Sequence, residues 1–221
     1  FTDSGLADGS TYIYTARVED AAGNRGAISA NYSISIDTSA PTQTVEISTI
    51  VDDVAPQTGS VASGDTTNDV TPELQGTISA VLGAGEVVAV YRDGVKVGTA
   101  TVTGSSWTFT DSGLADGVDY VYTARVEDAA GNQGALSDDY AISVDTSAPT
   151  QSVTISSVTD DVAPQTGNVA NGGITNDTTP LLGGTISAAL NAGEQVVVLR
   201  DGAVVGTATV TGTSWTFADS G

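Results

Sequence analysis

The chain has 221 residues, enough for one or two cored domains, with 27 acidic against 6 basic side chains and a formal charge of -21. So acidic a surface repels nucleic acid, whose binding needs Lys or Arg on phosphates, and is repelled by anionic lipid; no apolar run approaches the ~20 residues of a spanning helix, so neither nucleic-acid partners nor direct membrane insertion is expected. Cys, His and Met are absent, which removes disulfides, thiolate and imidazole metal sites, cysteine nucleophiles and the usual acid–base residue.

Val, Ile, Thr and Tyr recur in short runs broken by Gly, Asn and Asp, a pattern of strands and turns. The runs also repeat. Phe1 to Gly9 returns as Phe109 to Gly117, Asp52 to Gly59 as Asp160 to Gly167, and Trp107 as Trp215, all at an offset of 108 without a gap. Such self-similarity is the signature of a tandem array. The register predicts the back part of one module over 1–41, a whole module over 42–149 and the front part of a third over 150–221. Each part-module alone would leave an apolar face and open strand edges. The expectation is a window from a longer array; the alternative is completion between molecules, giving a self-associating head-to-tail filament.

In the whole module the period-two alternation predicts about seven strands. The first holds Val45 and Ile47. A long polar loop spans Asp52 to Thr71, and the second strand holds Leu74, Thr77 and Ile78. The third runs from Val87 to Arg92, with Val88 and Val90 inward, and Asp93-Gly94 makes a hairpin turn. A fourth covers Val95 to Thr103, a fifth Trp107 to Phe109, a sixth turns Tyr120, Tyr122, Ala124 and Val126 inward, and a seventh does so with Tyr140, Ile142 and Val144. Seven short strands in ~108 residues predict an all-β fold of tandem immunoglobulin-like sandwiches. Trp107 and the tyrosines are read as core rather than as a sugar-stacking platform.

Alternate up-and-down strands place Asp52 to Thr71, Asp93, the 111–119 stretch and Asp145 at a C-terminal pole. The Gly83–Glu86 turn, Gly104 and the 128–132 loop fall at an N-terminal pole, beside the incoming chain. The linker Thr146-Ser147-Ala148-Pro149-Thr150 leaves little slack, because proline fixes one angle and extends its predecessor. Six to eight hard oxygens are what Ca²⁺ requires; Mg²⁺ and Zn²⁺ suit this donor set less well. Asp52, Asp53, Asn68, Asp69 and Asp145, facing the next module's counterparts of Glu127, Asp128 and Asn132, are therefore the predicted ligands, with no neutralisation by neighbouring bases expected. Their repeats are Asp160, Asp161 and Asp177, and Glu19, Asp20, Asn24 and Asp37. Glu86 and Asp93 are read as turn-flanking, and Asp65, Asp138 and Asp139 as solvated charges. Catalysis is not expected, because the same acids recur on every module instead of forming one cleft.

The linker Asp-Thr-Ser-Ala-Pro-Thr (145–150), Glu-Asp-Ala-Ala-Gly-Asn (127–132) and Thr-Asn-Asp-Val-Thr-Pro-Glu-Leu-Gln-Gly-Thr (67–77) resemble the bacterial immunoglobulin-like repeats of giant adhesins, among them biofilm-associated surface proteins and type I-secreted RTX-like adhesins. The resemblance covers the whole chain. It implies extracellular or cell-surface extender modules, set between a cell anchor and a ligand-binding tip, with Ca²⁺ near the joints. The family's acidic positions correspond to Asp52, Asp53, Asp69, Asp128, Asn132 and Asp145, with Gly131 serving the adjacent turn. A rival expectation is a module that binds glycan or a host protein; the resemblance names no adhesive target.

Overall fold

A computed structural model describes residues 1–220. They form two compact units, Phe1–Ser147 and the residues from Ala148 onward, each described by itself. In the first unit, β1 (Thr11–Tyr14) and β2 (Tyr32–Ser35) pair antiparallel, followed by a complete sandwich. Its strands are β3 (Val45–Asp52), β4 (Gly59–Val61), β5 (Thr66–Thr67), β6 (Glu73–Ile78), β7 (Val87–Arg92), β8 (Val95–Thr99), β9 (Thr101–Thr103), β10 (Ser106–Thr110), β11 (Val118–Glu127) and β12 (Tyr140–Val144). One sheet runs β4-β3-β6-β10-β9 and the other β5-β12-β11-β7-β8. All neighbours are antiparallel except β5 and β12, which are parallel.

This is the all-β, immunoglobulin-like sandwich the alternation predicts, with ten strands in place of about seven. The long polar loop contains two of the extra strands, β4 and β5, through which the chain leaves one sheet and joins the other. The third arises because the predicted strand 95–103 breaks at Ala100: β8 lies in one sheet and β9 in the other. Segments of two or three residues are too short for periodicity to reveal.

The core lies between the sheets. Trp107, Tyr122, Ile50, Leu74, Ile142, Val88, Val90, Val126 and Val144 are almost wholly buried there. Trp107 can lie flat over β6 because Gly76 faces it: a Cβ at that position would meet the indole at 2.4 Å and the Glu46 carbonyl oxygen at 2.1 Å. Thr77, counted among the residues of that strand, points to solvent. Burial of Trp107, Tyr120 and Tyr122 removes the aromatic anchors that a glycan platform would use.

One irregularity positions an acid. Val45 and Ile47 face the core, but the register of β3 against β6 shifts between Ile47 and Thr49. The bulge inverts the alternation, so Ile50 and Asp52 face inward. The second unit repeats this, with a shift between Ile155 and Ser157 and Asp160 buried. Its strands are β13 (Val153–Asp160), β14 (Gly167–Asn168), β15 (Leu181–Ile186), β16 (Val197–Arg200), β17 (Ala203–Thr207), β18 (Thr209–Thr211) and β19 (Ser214–Ala218), arranged as one sheet β14-β13-β15-β19-β18 and the pair β16-β17.

Candidate functional site: the joint loops

The buried acids of the complete module gather at its C-terminal pole. The Asp52 carboxylate accepts a hydrogen bond from Thr67 Oγ1 at 2.5 Å and another from the Val54 amide at 2.8 Å. Thr67 Oγ1 in turn accepts from the Asp69 amide, while the Asp69 carboxylate accepts from the amide and hydroxyl of Thr71. Neither Asp52 nor Asp69 takes part in an ion pair among the described residues. Asp53 is exposed, and Asn68 donates to the Ala55 carbonyl. In the second unit Asp160, Thr175 and Asp177 rebuild the arrangement, with Asp161 exposed.

A third buried acid, Asp111, was not among the predicted ligands and serves the fold. Its carboxylate accepts from Arg92 Nη1 at 2.6 Å, Tyr122 Oη at 2.7 Å and the Ser112 amide at 2.7 Å. Burial, then this hydrogen bond and the nearby Asp111 charge, push the Tyr122 phenol far above its ordinary range.

At the opposite pole the linker 37–43 is fastened on both sides. On one side, Asp8 accepts from the Thr38 amide at 2.6 Å and from Ser39 Oγ at 2.7 Å. Asp116 holds Thr146 and Ser147 in the same way at the module's other end. Hydrogen bonds from the linker serines and threonines, Ser39 and Ser147 foremost, hold both carboxyls below the usual range. On the other side, Asn132 Nδ2 donates to the Asp37 carbonyl at 3.1 Å, and Pro41 is buried with Gly134 against its carbonyl oxygen. Gln43 Nε2 donates to Glu86 Oε2 at 2.6 Å, an oxygen that also accepts from the Gly83 amide.

Asp37, Glu86 and Asp128 line one cleft of about 270 Å³ between the linker and these loops. Asp128 tightens its own turn, accepting from the Ala130 and Asn132 amides and from Asn132 Nδ2, and these contacts, Asn132 first, lower its pKa. Asp20 and Asn24 form the identical turn near the start of the chain. Asp145 accepts from the Ser147 amide, as Asp37 does from Ser39.

The sequence reading groups Glu127 with these acids, and the structure places it elsewhere. Its carboxylate meets Lys96 Nζ at 2.6 Å, Arg125 Nε at 3.4 Å and the Tyr91 hydroxyl, on the outer face of β11. Burial raises its pKa, but Lys96 and its other partners outweigh that and leave it lowered. Glu19 likewise pairs with Arg17 and Arg25. Neighbouring bases, which the sequence reading discounts, thus neutralise both glutamates. Conversely, Glu86 and Gln43 reach the cleft although Glu86 is read as turn-flanking; only its recurrence as Glu194, bonded to Gln151, marks it. Asp8 and Asp116 carried the same recurrence signal within Leu-Ala-Asp-Gly.

The donors available to a metal here are all oxygens. Among the described residues no three acidic groups already stand together as a cage. The Gln43 Oε1 atom is buried without a hydrogen-bond partner beside the cleft, so the donor set fits a hard cation in chemistry.

The fold defines the class: an immunoglobulin-like sandwich module in tandem repetition. Residues 44–146, which span almost all of the complete module, match the family described as bacterial Ig-like domain. Two curated relatives share the sequence: Exoglucanase B of Cellulomonas fimi, 37% identical over 152 residues, and Chitinase A1 of Niallia circulans, 38% identical over 158 residues. The matches cover 68% and 67% of this chain but only 12% and 19% of those proteins, so the likeness is to a part of each.

Proposed function

We propose that this chain is a spacer: a stretch of extracellular stalk in a bacterial surface or secreted adhesin, whose short joints hold successive modules apart. The observation that carries the reading is the linker 37–43, fastened by Asp8 on one side and by Asn132, Pro41 and the Gln43–Glu86 bond on the other. A flexible tether needs no such seat. Each module adds a length on the order of 30–45 Å, from strands rising ~3.3 Å per residue plus loops. The partners are neighbouring modules of the same chain. The chain has neither His nor Cys, which fits a passive element.

Calcium completes the proposal. Asp37, Glu86 and Asp128 in the joint cleft, and the unpaired buried acids Asp52 and Asp69 at the other pole, are the groups that would hold Ca²⁺, with Glu127 and Glu19 outside the set. Bound there, the cation offsets repulsion between carboxylates and draws linker and loops together. Extracellular modules bind Ca²⁺ at about 10⁻⁴–10⁻³ M, so the joints would stiffen after export, where calcium is plentiful. Titration calorimetry tests this: heat that saturates in the millimolar range and falls in Asp128→Ala supports the site, and a flat titration rejects it.

A further inference from the structure

Two buried oxygens have no donor, and they occupy the same place in successive modules. Gln43 Oε1 and its counterpart Gln151 Oε1 are closed to solvent and accept no hydrogen bond among the described residues. Buried polar atoms are rarely left so, because a donor, a water or a cation normally meets them. A neighbouring carboxylate sets the orientation of each carboxamide. Gln43 Nε2 donates to Glu86 Oε2 at 2.6 Å, and Gln151 Nε2 to Glu194 Oε2 at 2.6 Å. Turning either amide over would set its oxygen against a carboxylate oxygen and orphan the nitrogen instead. Each glutamate is itself held, Glu86 by the Gly83 amide and Glu194 by the Asn191 amide. Both copies therefore keep a bare carbonyl oxygen just before the first strand of the sandwich, β3 and β13.

At residues 37–43 that place is the joint cleft, which Gln43 lines together with Asp37, Glu86 and Asp128. No Lys or Arg lines it among the described residues. The carboxylates attract any divalent cation and so separate Ca²⁺ from Mg²⁺ poorly. The amide oxygen is neutral and closed to water, and a cation that reaches it must shed its hydration on that side. Ca²⁺ does so readily and takes six to eight oxygens, whereas Mg²⁺ dehydrates reluctantly and keeps several waters.

We infer that Gln43 is the specificity-determining ligand of the joint cleft: its Oε1 binds calcium directly and discriminates against magnesium. The inference rests on the calcium reading of the joint proposed above and adds to it a ligand without charge. Because Gln43 ends the linker, ligation ties the linker to the Glu86 and Asp128 loops. Gln151 and Glu194 repeat the pair in the second unit.

Carbon-13 NMR of the unaltered 221-residue chain reads the ligand itself. The Gln43 Cδ resonance should move and saturate as calcium chloride is raised past about 1 mM, and stay in place with equal magnesium chloride. Gln43→Met keeps the length of the side chain and removes the oxygen. Affinities of the variant, read at the Gly83 amide of the cleft, should fall about 10-fold or more for calcium and stay unchanged for magnesium. Loss of the Glu86 bond alone would weaken both ions alike, so the ratio of the two affinities carries the test. A Gln43 Cδ that stays still while calcium shifts the Gly83 and Asp128 amides would overturn the inference and leave the calcium reading intact. Equal losses for the two ions in Gln43→Met would do the same. A cleft in which calcium shifts nothing would overturn both.

Discussion

Trp107 and Gly76 act as one unit. The indole fills the centre of the sandwich because the residue opposite it has no side chain. Trp107→Ala should cost about 3–5 kcal/mol by leaving a cavity, and Gly76→Ala about 1–3 kcal/mol by forcing the ring or the Glu46 carbonyl aside. Chemical denaturation of the two variants checks both values. Asp111 is a second critical residue, since it satisfies Arg92 and the wholly buried Tyr122 hydroxyl together. Asp111→Ala strands both partners and should destabilise the module by about 2–3 kcal/mol. Lys96→Ala should cost no more than about 1 kcal/mol, because the lysine end of that ion pair is exposed and Arg125 and Tyr91 still partner Glu127.

At the scale of elements, the alternation made most of the fold legible. Strands β6, β7, β11 and β12 carry the inward residues expected of them. Tertiary demands hid the rest. The bulge at Ser48 reverses the phase of β3, and the break at Ala100 moves the chain between sheets; neither leaves a periodic trace. The joint was half legible. Recurrence found Asp128, Asn132 and Asp37, but the pairing of Glu127 with Lys96 leaves no trace in the sequence, because Lys96 lies on β8, across β7 from β11. The Asp8 staple on the linker gives a test of its own. Asp8→Ala should leave the melting temperature unchanged yet raise the ps–ns mobility of residues 37–41 in ¹⁵N relaxation. Because the carboxyls of Asp8, Asp116 and Asp128 are held below their unfolded value, their contribution is fully present above about pH 4. It is lost as pH falls through the lowered values, where the unfolded chain has already taken up its protons. The joints should therefore hold unchanged from neutral pH to pH 5 and loosen only in stronger acid, which relaxation across a pH series reads directly.

For the molecule as a whole, a charge of -21 works against compaction, and the module poles concentrate carboxylates with few bases between them. The proposed stalk would gain from this charge, since like charges on its surface repel one another. The same charge is a cost at the joints, where Asp37, Glu86 and Asp128 share one cleft. Hydrogen bonds from Asn132, Gln43 and Ser39 hold the linker, and the proposed cation removes the remaining repulsion. The two relatives match over only 12% and 19% of their own length, which fits the proposed spacer. Small-angle scattering of the 221-residue chain, held dilute, in about 1 mM calcium and then in excess chelator tests the central claim most directly. The account predicts a longer maximum dimension and a higher melting temperature with calcium, both lost on chelation. Identical curves and identical melting in the two conditions would contradict it.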